Sequence, residues 1–231
     1  RENTEGFYAD RNIASGGSEM LITPDVVVSL RRITRECCER IARSAFELAM
    51  GRRRHVTIVH KANVLKLGDG MFIEMCHAVA REFPEVQVDD VIVDAMMAHV
   101  VRAPQRYDVI VTTNMFGDIL SDLTAELSGS LGLGGSLNAG RDHAMGQAAH
   151  GSAPDIAGKD IANPFSLILS AAQLLAWHGQ RKSLPSFVAA AQAIDKACAE
   201  AVLSGEATRD VGGRLGTAAT GQAVVRRILA A

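Results

Sequence analysis

The spacing of apolar residues predicts alternating strands and helices in the first half of the chain. Short β-rich runs lie at 55–61 and 107–114, and the stretch 89–101 begins as a strand and becomes a helix. An amphipathic helix at 69–83 and a helix over "TTNMFGDILSDL" at 112–123 lie between and after them. Apolar residues at helical spacing indicate helices, whereas short β-branched runs indicate strands. The order strand, helix, strand, helix predicts an α/β fold.

The pattern before residue 55 predicts an arm followed by one long helix. Residues 9–24 are polar and glycine-rich with short apolar ends, which favours an arm or hairpin over core. In 25–51, apolar residues recur near helical spacing among arginines and glutamates. Pro24 and Asp25 supply a start signal, so we expect a helix over 25–51.

The second half of the chain has a different pattern. The stretches 128–140 and 150–164 are predicted loops, and helices are predicted at about 165–178, at about 184–203 and in the tail. Few clear strands are visible, so this half would lack much of its sheet if it stood alone. We therefore expect a domain border near Gly129 and a missing N-terminal segment that completes the sheet.

The composition is that of a globular protein that binds neither nucleic acid nor membrane. Of the 231 residues, 48% are hydrophobic, and the formal net charge is −2. A nucleic-acid protein would show a basic stripe, and a membrane span would need about 18 consecutive apolar residues. The sequence starts at Arg1 without a methionine, so we expect the native N-terminus to be missing. The expected compartment is the cytoplasm, and an organellar matrix stays open for the same reason.

The four cysteines do not form a metal or disulfide pattern. Cys37, Cys38, Cys76 and Cys198 include no CxxC pair and show no zinc spacing. Reduced, mostly buried thiols in a cytosolic protein are the simplest interpretation.

Three aspartates are candidates for a cation site. Asp118 and Asp122 lie four residues apart on one face of a predicted helix, where like charges repel. Asp94 closes "VIVD" at the carboxyl end of a strand, the edge at which open α/β sheets bind ligands. Their oxygens could hold a hard divalent cation such as Mg²⁺. Alternatively, Asp118 lies in the first turn of its helix and complements the dipole, and Asp122 is merely exposed.

Three further segments carry polar groups suited to chemistry. Lys61 in "VHKANVLK" follows a strand and could act as a base, although most lysines are simply solvated. In "RENTEGFY", Arg1 could bind a carboxylate and Tyr8 could transfer a proton, or both could be surface residues. The small residues of "HGSAPDIAGKDIANP" permit close approach of a ligand, or they form an ordinary turn.

Taken together, "RENTEGFY", "VHKANVLK", "NMFGDILSDL" and "HGSAPDIAGKDIANP" resemble the β-decarboxylating dehydrogenases of the isocitrate/isopropylmalate dehydrogenase family. The resemblance covers essentially the whole chain, with the motifs in the family's order and approximate spacing. It implies an α/β fold of two domains with a cleft between them, of which this chain is the C-terminal part. Residues 1–128 would form the smaller central domain, with a protruding arm at about 9–24 and dimer-interface helices. Residues 129–231 would complete the large cofactor-binding domain.

The resemblance also implies roles for individual residues. Arg1 would bind a substrate carboxylate, Tyr8 would protonate the enol left after decarboxylation, and Lys61 would be the general base for the 2-hydroxyl, acting across a dimer interface. Mg²⁺ or Mn²⁺ would be held by Asp118 and Asp122, with Asp94 contributed by the other subunit. Asn63 would lie near the nicotinamide. The adenosine half of the cofactor would contact His150, Gly151, Ser152, Ala153, Pro154, Asp155, Ile156 and Asn163.

The implied activity is an NAD-dependent oxidative decarboxylation by a homodimer with shared active sites. The substrate would be a hydroxy-dicarboxylate or tricarboxylate of the malate type. "RENTEG" in place of "RELTGG" favours isocitrate over isopropylmalate, with homoisocitrate and tartrate as further possibilities. Asp155 favours NAD over NADP. Alternatives are a non-catalytic regulatory subunit of a hetero-oligomeric isocitrate dehydrogenase, or an α/β domain inactive on its own.

The sequence departs from the family pattern in two places. Gln147 stands three residues before His150, where a glutamate is common, so one polar contact on the cofactor side is in question. The loop "GLGGSLNAG" lacks the proline of the family's version.

Overall fold

The computed structural model describes residues 1–9 and 12–230. The chain divides into two compact units, Arg1–Thr124 and Ala125–Ala231, each with its own hydrophobic core. The assignment of the two predicted domains to a central and a cofactor-binding role stays a prediction.

The first unit is built on a three-stranded parallel sheet. Its strands run in the order β4-β3-β5, and a separate antiparallel hairpin precedes them. The strands are β1 (Glu19–Thr23), β2 (Val26–Ser29), β3 (His55–His60), β4 (Gln87–Ile92) and β5 (Val109–Thr112). The helices are α1 (Arg35–Met50), α2 (Gly68–Ala80), α3 (Val93–Arg102) and α4 (Asn114–Leu127), the last of which ends in the second unit.

Both faces of this sheet are covered by helices. Val56 and Ile58 of β3 lie in the core formed with α1 and α2, where Phe46 and Phe72 are fully buried. Val59 belongs to a second core that includes residues of α3 and α4. Side chains alternate across a strand, so a central parallel strand must be apolar on both sides. This sandwich confirms the predicted α/β class and brings Lys61, Asp94 and Asn114 to the carboxyl ends of β3, β4 and β5.

The prediction of one helix over 25–51 is wrong for its first part. Residues Val26–Ser29 form β2, and α1 begins only at Arg35. Three consecutive valines favour a strand because β-branched side chains fit a pleated, paired backbone. The helix begins where Thr34, in extended conformation, accepts a hydrogen bond from the backbone N–H of Cys37. The hairpin therefore reaches Ser29, beyond the predicted end of the arm at residue 24.

The second unit consists mainly of helices. They are α5 (Phe165–Lys182), α6 (Pro185–Leu203) and α7 (Thr217–Leu229), and they surround a core that includes Phe165, Ala201 and Val224. An antiparallel hairpin, β6 (Gly135–Ala139) and β7 (Ala144–Ala148), packs against α5. A Cβ on Gly146 would lie 2.8 Å from the Ser170 carbonyl oxygen, so glycine permits this close packing.

The prediction of loop over 128–140 is wrong where β6 lies. The strand consists of Gly, Ser, Leu, Asn and Ala, which have little strand propensity apart from leucine. Its order comes from pairing with β7 and from the Ser136 N–H, which donates to the hydroxyl of Ser170 on α5. Local propensity could not reveal either contact.

Two features of the described residues relate to expectations from the composition, namely the state of the cysteines and the character of the helices. All four cysteines are unpaired and buried. Burial raises the pKa of Cys38 and of Cys198 to about 12, so these thiols stay protonated near neutral pH. Among residues 1–9 and 12–230, no helix has the length and apolar character that crossing a bilayer requires.

Candidate active site

Arg1 and Asp118 form the centre of a first polar cluster in the first unit. The Arg1 guanidinium donates to the Asn114 Oδ1 from Nε at 3.0 Å and from Nη2 at 2.8 Å. Its Nη1 lies 2.5 Å from the Asp118 Oδ1. The whole fork of the guanidinium is thus oriented by two side chains one helical turn apart on α4.

Close packing brings the N-terminal segment against α4. A Cβ on Gly117 would lie 2.7 Å from the Cβ of Arg1, so only glycine leaves enough space for the arginine at this position. The Asn114 Nδ2 donates to the Glu5 carbonyl oxygen at 2.9 Å. Asn114 is 3% exposed and was not among the predicted site residues. Its signal in the sequence was a polar residue directly after a buried strand.

Asp118 lies further along its helix than predicted. α4 begins at Asn114, which places Asp118 beyond the first turn and Asp122 one turn further still. The idea that Asp118 complements the helix dipole therefore loses its basis, because that effect is confined to the first turn. In the described structure, Arg1 balances the charge of Asp118.

Lys61 and Asp94 form the second cluster, between the ends of β3 and β4. The Lys61 Nζ lies 2.6 Å from the Asp94 Oδ1. Asp94 occupies the first turn of α3, directly after β4, as the prediction of a carboxylate at a strand end required. The hydrogen bond from Lys61 holds the pKa of Asp94 below its usual value. The Lys61 side chain is 26% exposed and that of Asp94 is 69% exposed, so both remain accessible.

The backbone around Lys61 is held by side chains. The Lys61 N–H donates to the Asp69 Oδ2 at 2.6 Å. The next N–H, of Ala62, donates to the His60 Nδ1 at 3.0 Å, which leaves the proton of that ring on Nε2. This Nε2 faces the Asp90 Oδ2 at 3.1 Å. Neither Asp69 nor His60 was a predicted site residue, although both are buried polar groups.

The remaining predicted residues of this unit are solvent-accessible. Tyr8 is 52% exposed, and Asn63 is exposed in the turn between β3 and α2. The structure gives neither a contact with Lys61 or Asp118. Their assignment to proton donation and to the nicotinamide stays a prediction.

The carboxylates match the chemistry of a hard divalent cation. Asp118 and Asp122 share one face of α4, and the Asp122 carboxylate is exposed, with no partner among the described residues. Mg²⁺ and Mn²⁺ prefer such oxygen donors. Within residues 1–9 and 12–230, no three acidic, histidine or cysteine side chains converge in one chain. Asp94 therefore does not join the pair of α4 within one copy.

The predicted cofactor loop lies in the second unit and is exposed along most of its length. Gly151, Ser152, Ala153 and Asp155 are exposed, and Ile156 is half-buried. Ala153 has φ +40° and precedes a short 3-10 helix, Pro154–Ile156. The exposed His150 contacts the Gly151 carbonyl oxygen through Nδ1 at 2.8 Å. Exposed backbone beside small side chains is suited to contact with a dinucleotide.

The far end of this loop is anchored by hydrogen bonds. Asp160, with φ +52°, accepts from the backbone N–H groups of Thr217 and Ala218 at the start of α7, at 3.0 and 2.9 Å. The Asn163 Oδ1 accepts from the Phe165 N–H at 2.9 Å and its Nδ2 donates to Asp210 at 2.8 Å. Each end of the Asn163 side chain therefore has one partner in the described structure, and its predicted contact with the cofactor stays a prediction.

The first unit is thus an α/β domain with a parallel sheet covered on both faces and with basic groups paired with carboxylates beyond the strand ends. The second unit carries an exposed small-residue loop. Residues 1–226 match the family model described as isocitrate/isopropylmalate dehydrogenase, and the chain belongs to this family.

Individual relatives agree with this assignment. The chain is 43% identical to a 3-isopropylmalate/3-methylmalate dehydrogenase of Methanocaldococcus jannaschii, over 99% of its length and 66% of the relative. It is 44% identical to an isocitrate/homoisocitrate dehydrogenase of Thermus thermophilus, over 99% of its length and 64% of the relative. The solved isocitrate dehydrogenase of Methylococcus capsulatus superposes with a TM-score of 0.86 at 43% identity, covering 97% of this chain and 65% of the other. The chain thus spans slightly less than two thirds of each of these three proteins.

Proposed function

We propose that the full-length protein is an NAD-dependent β-decarboxylating dehydrogenase that oxidises a malate-type 2-hydroxy acid. One observation carries the proposal: each cation expected to act on the substrate is paired with a carboxylate expected to bind the metal. Arg1 pairs with Asp118, and Lys61 pairs with Asp94. Charged groups of both signs held close together and open to solvent suit a site that binds a cation and an anionic substrate together.

The proposed mechanism assigns one task to each side chain. The Arg1 guanidinium binds a substrate carboxylate through its fork of donors. Lys61, in its neutral amine form, takes the proton of the 2-hydroxyl while the hydrogen on the same carbon leaves as hydride. When bound, the nicotinamide supplies the hydride acceptor and the divalent cation supplies positive charge beside the 2-oxygen. After the β-carboxylate leaves as CO₂, the Tyr8 hydroxyl protonates the resulting enol at carbon.

We further propose a homodimer with shared active sites. Arg1 and Asp118 belong to one cluster, and Lys61 and Asp94 belong to the other. Since Asp94 pairs with Lys61 and Asp118 pairs with Arg1, a metal site that uses both carboxylates would be completed by a second copy. A two-fold dimer would then contain two equivalent sites, each built from both chains.

For the cofactor, we propose NAD, with its adenosine half on the exposed stretch 150–156. Asp155 is exposed in the first turn of a short 3-10 helix and can accept hydrogen bonds from ribose hydroxyls. Asn163 keeps one donor at Nδ2 and one acceptor position at Oδ1 for this contact, beside its bonds to Asp210 and to the Phe165 N–H.

Among substrates we favour isocitrate because of the "RENTEG" segment. The relatives named for isopropylmalate and for isocitrate or homoisocitrate are almost equally similar, at 43% and 44% identity. Because these identities are nearly equal, an assay decides between the substrates.

We propose the cytoplasm as the compartment.

The decisive experiment is a substrate panel with the full-length protein. Isocitrate, homoisocitrate, 3-isopropylmalate and tartrate are each tested with NAD and Mn²⁺, and both NADH and released CO₂ are measured. We expect turnover of one or two of them with equal amounts of both products, and none in Lys61→Met. A folded protein that turns over no member of the panel would instead support the regulatory-subunit alternative.

A further inference from the structure

Asp69 is a buried carboxylate to which the proposed mechanism assigns no role. It lies in the first turn of α2, and no part of its side chain is exposed to solvent. Burial of a carboxylate is unfavourable unless its oxygens are paired. Oδ2 accepts a hydrogen bond from the Lys61 N–H at 2.6 Å. Oδ1 forms an ion pair with the Arg31 Nη2 at 2.7 Å, without the alignment of a hydrogen bond.

The same carboxylate therefore holds the backbone of the proposed base. The Lys61 carbonyl oxygen also accepts hydrogen bonds from the N–H groups of Val64 and Leu65, at 3.0 and 2.8 Å. With both backbone polar groups of Lys61 fixed, the direction in which its side chain leaves β3 is set. The four-carbon side chain is flexible in itself. The fixed backbone at one end and the contact with Asp94 at the other therefore restrict where Nζ can lie.

Arg31 extends this arrangement towards the other polar cluster. Its Nη2 also donates to the Thr113 hydroxyl at 3.2 Å, and Thr113 directly precedes Asn114, which orients Arg1. Its guanidinium carbon lies 5.8 Å from the ring centroid of Phe116 on α4 and 6.0 Å from that of Phe7, the residue before Tyr8. The guanidinium thus lies beside the segment that carries Tyr8 and beside α4, which carries Asp118.

We propose that Asp69 and Arg31 are positioning residues of the reaction. Asp69 fixes Lys61 for the active site that this lysine serves, and Arg31 fixes the segments bearing Tyr8 and Arg1 for the other active site of the dimer. This inference rests on the proposed function, because it requires Lys61 to be the base. A purely structural ion pair would stabilise the fold without affecting the chemical step. The two roles differ in kinetics, since a displacement of about 1 Å at a reacting group can lower a rate by about 10²-fold.

The chain offers a matched control pair. Arg35 and Glu74 lie 2.8 Å apart and connect the start of α1 with α2, but their side chains are 57% and 61% exposed. Neither contacts Lys61 or the segment 1–8. Glu74→Gln and Arg35→Met therefore remove another arginine–carboxylate pair to α2 without affecting the proposed positioning.

The test compares Asp69→Asn and Arg31→Met with these controls in the full-length protein. We expect kcat to fall by about 10- to 100-fold in both variants, with KM for the substrate changed less than about threefold. The deuterium isotope effect on kcat, measured with substrate labelled at C2, should rise because hydride transfer becomes rate-limiting. Hydrogen exchange at the Lys61 amide should become faster in Asp69→Asn. The controls should match the wild type in all three measurements.

The remaining outcomes separate the possible failures. A folded Asp69→Asn protein with wild-type kcat and isotope effect would show that the pair is only structural. If Asp69→Asn does not fold, Arg31→Lys decides, because it keeps the positive charge and removes the planar guanidinium, whose Nη2 contacts both Asp69 and Thr113 and which lies beside the rings of Phe7 and Phe116. Wild-type turnover in Lys61→Met would overturn the proposed base itself. An inactive Lys61→Met beside an unaffected Arg31→Lys and Arg31→Met would overturn only the positioning role.

Discussion

The Arg1 Nη1 and the Asp118 Oδ1 lie 2.5 Å apart, so a proposed substrate-binding cation contacts a proposed metal ligand. A divalent cation that binds Asp118 must compete with this arginine. The two side chains are about one-third exposed, at 32% and 38%, so water screens the pair and limits its strength. Metal binding and release of Arg1 for the substrate are therefore expected to be linked.

The first prediction is that Arg1→Gln binds Mn²⁺ more tightly when no substrate is present. Loss of the competing cation should lower the Kd for Mn²⁺ by about two- to fivefold, the range that an exposed ion pair permits. The KM for the substrate should rise in the same variant. Free Mn²⁺ can be followed by electron paramagnetic resonance, with Arg35→Gln as the control at an exposed ion pair. Equal Mn²⁺ affinity in both variants would contradict the competition.

The second prediction is that Asp118→Asn weakens cation binding and activity together. The variant keeps the shape of the side chain and removes one negative charge from a hard-cation site. We expect activity to fall by orders of magnitude and the Mn²⁺ requirement to rise. Titration of Mn²⁺ against activity in the wild type and the variant tests this. Superimposable curves would remove Asp118 from the metal site.

The third prediction concerns the shared sites. Inactive Lys61→Ala and inactive Asp118→Asn proteins should regain activity after their subunits exchange, because each mixed dimer then holds one intact site. Random exchange makes half of the dimers mixed, so recovery should approach about a quarter of the wild-type rate.

The contact between Lys61 and Asp94 provides the control for this experiment. These residues lie 2.6 Å apart in one chain and should serve the same site. Lys61→Ala mixed with Asp94→Asn should therefore regain nothing, since both sites of the mixed dimer are then defective. Recovery in this second mixture, or none in the first after confirmed exchange, would argue against the proposed division.

The fourth prediction concerns stability in acid. Burial alone would raise the pKa of Asp210, but hydrogen bonds from Ser130 and Asn163, at 2.5 and 2.8 Å, hold it below its usual value. A carboxylate whose pKa is lowered in the folded state stabilises the protein at pH values above the unfolded-state pKa of that carboxylate, about 3.9. This contribution is lost as the pH falls through the folded-state pKa.

Asp210→Asn should accordingly be less stable than the wild type at pH 7. It should also lose less additional stability than the wild type as the pH falls below about 4. Urea midpoints measured at pH values from 7 down to 2.5 test both points. Asp142→Asn, at an exposed carboxylate in the turn between β6 and β7, is the control and should follow the wild type. Parallel curves for wild type and Asp210→Asn would exclude this role for Asp210.

The sequence predicted well those elements in which buried apolar residues recur at a regular spacing. β3, β5 and the helices α2, α5 and α6 follow from apolar spacing because one face or both faces of each element is buried. β2 and β6 did not follow. Val26–Ser29 is exposed along its whole length and pairs only with β1, and Gly135–Ala139 depends on β7 and on Ser170. A strand held by pairing, without one fully buried face, shows no alternation of apolar and polar residues.

The site shows the same limit. The places of Lys61 and Asp94 at the sheet edge could be predicted because each follows closely on a strand, whereas Asp118 lies further along its helix than predicted. Asn114, Asp69 and Arg31 were missed because their importance lies in contacts with distant residues. Arg31 is separated from Thr113 by 82 positions, and Asn114 from Arg1 by 113. A buried polar residue becomes informative only when its partner is known.

The last prediction is a preference for NAD over NADP, and it depends on Asp155. This residue is exposed in the first turn of the 3-10 helix Pro154–Ile156, and Ile156 beside it is half-buried. An ionised carboxylate accepts hydrogen bonds from the ribose hydroxyls of NAD and repels a 2′-phosphate of charge near −2. In members of the family that use NADP, the residues corresponding to Asp155 and Ile156 are typically a lysine and a tyrosine.

We therefore expect kcat/KM for NAD to exceed that for NADP by about 10²-fold or more, equivalent to about 3 kcal/mol. In Asp155→Lys with Ile156→Tyr the preference should disappear, because the repulsion becomes attraction towards the 2′-phosphate. Asp155→Asn removes only the charge and should lie between the two, which separates repulsion from the loss of a ribose contact. Because Ile156 is half-buried, the melting temperature of the double variant is measured beside its kinetics. Asp142→Asn controls for the loss of a surface charge elsewhere in the same unit. A wild-type enzyme that prefers NADP would show that Asp155 does not face the ribose.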